Sequence, residues 1–195
     1  MPALRLTREV AGGAERGTAT HVFLQFCDFA RLEADGFDAE LERLRKKKFL
    51  TSAMASLVDR EEIERFVSGK LFADMKAAKW VRREFRFNAS LPACSFTTDE
   101  KLRDALRSSG ETITVQGVVD AVFERADGAL VLIDYKTDRL NDYEASHPDV
   151  AKRALAERHR LQLTYYKEAC EAIFERPIDE VSVYSLALGD TARVF

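Results

Sequence analysis

The sequence predicts an α/β fold in which a small mixed central sheet is flanked by helices and preceded by an N-terminal helical region. Three observations lead to this expectation. Apolar residues recur at helical spacings over most of the first 79 residues. Segments typical of strands follow, and two of them are joined by an Asp-Gly turn. A long helical stretch then separates these strands from two final ones, so the order is helices, strands, helix, strands.

Helices are predicted after a loose lead-in at residues 1–16, where Gly12 and Gly13 break any pattern. Apolar residues then return every three or four positions, as on one face of a helix. Asp59 precedes Glu62 in a capping-box arrangement, which marks a helix start. The predicted helices of this region are residues 18–34, 38–48, 52–58 and 60–79.

Strands are predicted where apolar residues alternate with polar ones or form short continuous runs. Residues 89–110 are expected to be a loop with some helical content near 98–107, and a long helix is expected at residues 148–175. A turn at Gly189-Asp190 should join the last two strands. The predicted strands are residues 80–88, 112–124, 129–136, 178–188 and 191–195.

The composition fits a globular protein with enough apolar material for a core. The chain has 195 residues, of which 46% are hydrophobic and 32% are charged. No apolar run could span a bilayer and the N-terminus lacks the apolar stretch of a signal peptide, so we expect a cytoplasmic protein with no membrane partner. The net charge of -3 is unusual for a free-standing DNA binder, so the motifs must carry any such assignment.

The strongest chemical signal is a group of charges at the ends of two apolar strands. Asp134 and Lys136 alternate along one strand and therefore point to the same face, and pairing places Asp120 of the preceding strand beside them. Two close carboxylates repel each other unless a proton or a cation intervenes. Such a pair can hold Mg²⁺ together with substrate phosphate and water. A surface hairpin with an ordinary Asp–Lys pair is the alternative.

Four short motifs in order resemble the PD-(D/E)xK nuclease superfamily and its RecB-like nuclease domains. Within that group the chain is most similar to the C-terminal nuclease domain of AddA-type helicase–nuclease subunits. The motifs are Gly117-Val118-Val119-Asp120, Ile133-Asp134-Tyr135-Lys136-Thr137-Asp138, a histidine motif at Gly17-Thr18-Ala19-Thr20-His21, and a Q-x-x-x-Y motif at Gln162-Leu163-Thr164-Tyr165-Tyr166.

The resemblance implies a role for each residue that matches a motif. Asp120 and Asp134 would bind the metal together with His21 and the main-chain carbonyl of Tyr135, and Lys136 would be the catalytic lysine. Glu84 matches an active-site glutamate of relatives by position alone. Gln162 and Tyr166 would contact nucleic acid. The alternatives are a core histidine for His21, an ion-paired strand residue for Glu84, and boundary packing for Gln162 and Tyr166. Arg139, Arg158 and His159 could contact phosphates or form a solvated face.

The resemblance also implies a function. It predicts a restriction-endonuclease-like core and Mg²⁺-dependent hydrolysis of DNA, with Mn²⁺ as a substitute, by an exonuclease of double-strand-break repair. Residues 1–195 would be one RecB-like domain, with a helical region at 17–79 and a catalytic core at 80–195. No Walker A motif is present, so the domain would be excised from a longer helicase–nuclease or stand alone. Its partners would be DNA, the helicase portion of its own chain and a second helicase–nuclease subunit.

The sequence also excludes one cofactor and leaves two other functions open. Cys27, Cys94 and Cys170 are too few and too scattered for the iron–sulfur cluster of some relatives, so no cluster is expected. A catalytically degenerate module that only binds or scaffolds DNA is one alternative. A metal hydrolase that acts on a phosphoester other than a nucleic acid is the other.

Overall fold

A computed structural model describes residues 3–195 of the chain, with side chains from residue 13 onward. Helices occupy most of the N-terminal part, as predicted, and none of the described helices combines the length and apolar character needed to cross a bilayer. In chain order these helices are α1 (Ala3–Phe26), α2 (Phe29–Lys46, kinked at Gly36), α3 (Ser52–Ala55), α4 (Arg60–Ser68) and α5 (Lys70–Lys76).

The largest differences from the expected helix boundaries occur at three places, and α2, α3 and α5 also end two or three residues before their predicted ends. The predicted lead-in at residues 1–16 is wrong for its described part, because residues 3–16 belong to α1. A glycine in a helix costs only about 1 kcal/mol relative to alanine, so Gly12 and Gly13 do not end it. The predicted helix 18–34 is broken at Asp28, whose side chain accepts hydrogen bonds from the first amides of α2. The predicted helix 60–79 is interrupted at Gly69, which separates α4 from α5.

Five strands form one mixed sheet in the order β1-β2-β3-β4-β5. Neighbours are antiparallel except for β3 and β4, which are parallel. The predicted α/β fold with a mixed central sheet is therefore confirmed. The strands are β1 (Trp80–Pro92), β2 (Thr112–Glu124), β3 (Leu130–Lys136), β4 (Glu180–Ser185) and β5 (Asp190–Arg193).

The remaining helices join these strands. A short 3₁₀ helix (Ala93–Phe96) and α6 (Glu100–Ser109) connect β1 to β2. The strand β1 runs four residues beyond its predicted end because its alternation continues through the buried Ala89 and Leu91. The parallel pairing of β3 with β4 requires a long crossover. Helices α7 (Asp142–Ser146) and α8 (Pro148–Phe174) provide it.

The central strand β3 separates two hydrophobic cores. Val131, Ile133 and Tyr135 pack with the N-terminal helices. Leu130 and Leu132 pack in the second core, together with residues of α8. Successive side chains of a strand point to opposite faces, so Asp134 continues the row of Leu130 and Leu132 toward α8.

Strands β2 and β3 separate at Asp120, and we refer to this opening between them as the fork. Strand β2 pairs with β1 from Thr112 to Glu124, with one interruption, but it pairs with β3 only from Ala121 to Glu124. Residues 112–120 of β2 and the part of β1 that pairs with them therefore extend past β3 as a two-stranded ribbon. The pairing of β1 with β2 is also interrupted where Glu84 lies opposite Asp120, between the pairs Arg83–Ala121 and Phe85–Val119. The two interruptions place Asp120 at the base of the fork.

Candidate active site

At the base of the fork, the carboxylate of Asp120 provides the hydrogen-bond acceptor that a neighbouring strand would otherwise provide. Its Oδ2 atom accepts a hydrogen bond from the main-chain amide of Tyr135 at 2.6 Å, just past the point where β2 stops pairing with β3. A buried amide without a partner would destabilise the sheet. The side chain of Asp120 therefore stabilises the end of β3 through one oxygen, and its second oxygen faces His21.

His21 reaches the same place from α1. Its Nδ1 lies 3.1 Å from Oδ1 of Asp120, and its Nε2 lies 3.1 Å from the main-chain oxygen of Tyr135. Burial lowers the pKa of His21, but the hydrogen bond to Asp120 and the negative charges of Asp120 and Glu84 outweigh burial, so its pKa is raised. A neutral imidazole has one N–H donor, and both ring nitrogens here face oxygen acceptors. The surroundings of the ring therefore favour a positive charge.

Two contacts of α1 explain why a glycine and a basic residue precede His21. A side chain at Gly17 would place its Cβ 3.1 Å from Oγ1 of Thr137, closer than ordinary packing. The guanidinium of Arg16 donates to the main-chain oxygen of Thr137 at 2.7 Å and to Glu62 at 3.1 Å. Thr137 directly follows β3, so these contacts hold α1 against the end of that strand.

Glu84 completes a cluster of possible metal ligands. It lies opposite Asp120 on β1, and its Oε1 is 4.0 Å from Nδ1 of His21. One ligand atom from each of Glu84, Asp120 and His21 can be chosen so that all lie within 4.8 Å of one another. Burial and the negative charge of Asp120 raise the pKa of Glu84. Its backbone is in the left-handed region, with φ at 50°, a conformation that is strained for a residue with a side chain.

Asp134 and Lys136 form an ion pair beside this cluster. Oδ2 of Asp134 lies 2.6 Å from Nζ of Lys136, and Asp134 is buried. Burial raises the pKa of Asp134; the charge of Lys136 opposes that rise and the charge of Asp120 adds to it. Asp134 is not one of the three clustered ligands, since its carboxylate is directed to the lysine.

The donor set fits a hard divalent cation. Two carboxylates and an imidazole nitrogen converge, and the main-chain oxygen of Tyr135 contacts the same imidazole. Oxygen ligands suit Mg²⁺ and Mn²⁺, and imidazole suits the transition metals. A cation would also relieve the repulsion that raises the pKa of both Glu84 and Asp134.

Helix α8 covers the other side of the fork. The ring of Tyr166 packs edge-to-face on Phe87, with 5.3 Å between the ring centroids. A Cβ at Gly117 would lie 2.5 Å from Cζ of Phe87 and 3.0 Å from Tyr166, so a side chain there would have to displace one of the rings. Gln162, one helical turn before Tyr166, is exposed, and no hydrogen bond of its side chain occurs within the described part of the chain. The geometry therefore gives Tyr166 a packing role at the ribbon and leaves Gln162 free for solvent or a ligand.

His159 is one of the residues for which the sequence allows either a phosphate contact or a position on a solvated face. Its side chain is only 16% exposed, and its Nε2 lies 3.5 Å from Oδ2 of Asp138. Burial and the positive charge of Lys136 lower its pKa, although the charges of Asp134 and Asp138 act in the opposite direction. His159 thus belongs to the surroundings of the Asp134–Lys136 pair rather than to a solvated face. The helical spacing from Gln162 and Tyr166 is the signal that could have indicated this.

The fold agrees with comparisons to known proteins. Residues 3–193 match the PD-(D/E)XK nuclease superfamily. The relatives include proteins named as the A-type subunit of an ATP-dependent helicase/nuclease. The one from Desulforudis audaxviator is 35% identical over 175 residues, and the one from Acetivibrio thermocellus is 34% identical over 171 residues. The one from Bacillus mycoides is 34% identical over 172 residues.

The aligned region is a small part of these relatives. It covers 89% of this chain but 13% of the Desulforudis protein, and 88% of this chain but 12% of the Acetivibrio protein. For the Bacillus mycoides protein the shares are 88% and 13%. The similarity therefore concerns one region of much longer helicase/nuclease subunits.

Proposed function

Because the chain belongs to the PD-(D/E)XK nuclease superfamily, we propose that it is a metal-dependent DNA nuclease domain that hydrolyses phosphodiester bonds as an exonuclease. One observation carries this proposal. His21, Glu84 and Asp120 present ligand atoms within 4.8 Å of one another beside the Asp134–Lys136 ion pair. Mg²⁺ is the proposed cofactor, and Mn²⁺ would substitute for it.

Each residue of the fork has a proposed part in the reaction. His21, Asp120 and the main-chain oxygen of Tyr135 would bind the cation, and Asp134 would join them when it turns away from Lys136. A bound divalent cation supplies charge neutralisation on the phosphate and makes water more acidic. Glu84 lies beside His21 and Asp120, and it would hold the nucleophilic water or act as a further ligand of the cation. Its strained backbone supports a functional role.

Lys136 is the proposed catalytic lysine. Its ammonium is 2.6 Å from Asp134, at the open end of β3. From this position it would orient the attacking water and handle the proton that the water loses, or stabilise negative charge on the phosphate oxygens. Gln162 and Tyr166 would border the bound strand from α8. The side-chain amide of Gln162 is exposed, which supports a contact with DNA. The ring of Tyr166 packs on Phe87, so its support for such a contact is weaker.

A larger assembly is also proposed. The relatives are named as subunits of ATP-dependent helicase/nucleases, and the chain corresponds to 12–13% of their length. We infer that the domain works beside a helicase portion of its own polypeptide and a second helicase–nuclease subunit in double-strand-break processing. A helicase that delivers a strand would also compensate for the net charge of -3.

The test is a cleavage assay on end-labelled single-stranded and duplex DNA, with Mg²⁺, with Mn²⁺ and with a chelator. Wild type should cleave only with a metal, and Asp134→Asn prepared in the same way should be inactive, which excludes a contaminating nuclease. Shortening from an end would support exonuclease action. DNA binding without cleavage under every metal condition would favour the alternative of a degenerate module that binds or scaffolds DNA.

A further inference from the structure

The end of α2 carries an exposed surface that combines basic and aromatic side chains. Phe49 stacks on Phe26 of α1, with 4.1 Å between the ring centroids and 11° between the ring planes. The two residues are 40% and 36% exposed. Lys47 and Lys48 directly precede Phe49 and are exposed. We refer to Phe26, Lys47, Lys48 and Phe49 as the Lys–Phe surface.

The lysines of this surface differ from the basic residues before them. Arg45 and Lys46 pair with Glu42 at 2.8 and 3.8 Å. Within the described side chains, neither Lys47 nor Lys48 lies at ion-pair distance from a carboxylate. Basic residues in the last turn of a helix are explained by the helix dipole. That explanation covers Arg45 and Lys46, but it requires neither two further lysines nor exposed aromatic rings beyond the helix.

The backbone holds the surface in a defined arrangement. Lys48 adopts a left-handed conformation with φ at 61°, and the amides of Lys48 and Phe49 donate to Arg45 and Leu44 at 2.9 and 3.0 Å. Arg43 donates to the main-chain oxygen of Phe26 at 2.9 Å and pairs with the buried Glu40, which fixes the end of α1 against α2. Lys48 also lines a groove of about 470 Å³ together with Arg45 and Lys46.

We propose that the Lys–Phe surface binds single-stranded DNA, with bases stacked on Phe49 and phosphates held by Lys47 and Lys48. This deepens the nuclease function proposed above and rests on it. Proteins that bind single strands combine aromatic platforms with basic grooves, because every unpaired base has a flat face and every nucleotide a negative charge. A duplex does not offer unstacked bases, so the exposed rings favour a single strand. The surface is locally positive in a chain whose net charge is -3.

The position of Phe26 relates this surface to the candidate active site. Phe26 and His21 lie five residues apart on α1, which is about 7.5 Å along a helix axis. Their side chains leave the helix in different directions, since five residues correspond to about 140° of net rotation. A strand on the Lys–Phe surface would therefore be a second contact near the site, adding affinity without touching the reacting phosphate.

The test measures binding of a fluorescein-labelled oligothymidylate of about 20 nucleotides in buffer that contains a chelator, so that no cleavage occurs. The double variant Lys47→Ala/Lys48→Ala should bind at least about tenfold more weakly at low salt. Its slope of log affinity against log salt should be shallower by about 1.4, the value expected for two lost phosphate contacts with a single strand. Lys101→Ala on α6 is the matched control and should bind like wild type.

The aromatic part is tested separately. Phe49→Leu keeps an apolar contact with Phe26 but removes the ring, so affinity should fall by about five- to a hundredfold with the salt slope unchanged. In the cleavage assay, both sets of variants should raise KM for single strands and leave kcat within twofold of wild type. Thermal melting at the wild-type temperature verifies that the exposed substitutions leave the fold intact.

The outcomes separate this proposal from the nuclease function. If wild type cleaves DNA but the double variant binds with wild-type affinity and salt slope, the surface does not bind DNA and the proposal is overturned, while the nuclease function stands. That result would point to a protein partner for the exposed rings. If wild type binds through the surface but cleaves nothing with Mg²⁺ or Mn²⁺, the nuclease function fails and the binding surface stands.

Discussion

The imidazole of His21 contacts the carboxylate of Asp120, 99 positions away in the sequence, with 3.1 Å between Nδ1 and Oδ1. Helix α1 is therefore a wall of the candidate active site and not a separate N-terminal elaboration. The same imidazole contacts the main-chain oxygen of Tyr135 at 3.1 Å, so one side chain connects α1 with both strands that form the fork.

Replacing His21 with alanine should weaken metal binding more than it weakens the fold. One ligand of the proposed set is lost, and we expect the Kd for Mn²⁺ to rise by at least about tenfold, the lower end of what is seen when the supporting groups of a metal site are changed. Calorimetric titration with Mn²⁺ measures this. His147→Ala is the control, because His147 is exposed and its ring contacts Tyr143, by a hydrogen bond of Nδ1 and by stacking, rather than the ligand cluster. Equal affinities in the two variants would remove His21 from the site.

The two aspartates should differ in their effect on stability, although we predict that both are required for cleavage. Asp120→Ala leaves the buried amide of Tyr135 without its acceptor, so the free energy of unfolding should fall by about 1–3 kcal/mol. Asp134→Ala removes a carboxylate whose charged form burial disfavours, so it should leave stability unchanged or slightly raised without metal. Urea unfolding in a chelator distinguishes them. Substantial metal-dependent cleavage by either variant would contradict the site.

Lys136 should affect the chemical step far more than it affects binding. Lys136→Ala removes the ammonium beside Asp134, and we expect the single-turnover rate to fall by about 10²-fold or more. Lys136→Arg should not restore it if the residue handles a proton, because a guanidinium keeps its proton. Mn²⁺ titration of both variants provides the control on binding. Near wild-type cleavage by Lys136→Arg would instead indicate a purely electrostatic role.

A side chain at Gly117 should destabilise the fold. A Cβ there would lie 2.5 Å from the Phe87 ring and 3.0 Å from Tyr166, so Gly117→Ala must displace one of them and should destabilise the fold by about 1–3 kcal/mol. Gly13→Ala on α1 is the matched change, because nothing lies within 4 Å of its Cβ position. It should stabilise by up to about 1 kcal/mol. Equal melting temperatures for the two variants would show that the ribbon moves freely against α8.

The three thiols should react very unequally in the native protein. Burial raises the pKa of both Cys27 and Cys170 to about 12, so their reactive thiolates are scarce near neutral pH. Cys94 is only partly buried. An alkylating reagent at pH 8 followed by peptide mass spectrometry should find label on Cys94 first, and on all three after denaturation. Early labelling of Cys27 would mean that the end of α1 opens.

Most of the fold could be predicted because its signals are local. The alternation in β1, the apolar run of β3 and the Asp127-Gly128 turn each lie within a few residues. The pattern does not predict the break at Asp28, because Phe26 and Phe29 keep a helical spacing across it. The break depends partly on a residue 12 positions away, because the amide of Asp28 donates to the buried Glu40 at 2.6 Å. The residues around Asp28 do not predict that contact.

The candidate site was predictable to a similar degree. Strand alternation alone indicates that Asp134 and Lys136 share a face, and the structure pairs them. The contact of His21 with Asp120 depends on the packing of α1, so it was expected only from the resemblance to a family. The left-handed backbone of Glu84 could not be foreseen, since residues other than glycine, asparagine and aspartate rarely adopt it. The roles of these residues in catalysis stay predictions until the variants are measured.

The alternation along β3 also limits how the length of this chain can vary. Odd-numbered side chains of this strand enter one core, while Leu130 and Leu132 enter the other. If a single residue were deleted from β3 or inserted into it, every side chain after that point would face the opposite core. Lys136 would then point to the other face of the sheet. Insertions in the connection between β3 and α7, at residues 137–141, carry no such penalty. Related chains that keep this site should therefore differ in loop length there, and β3 should change by substitution alone.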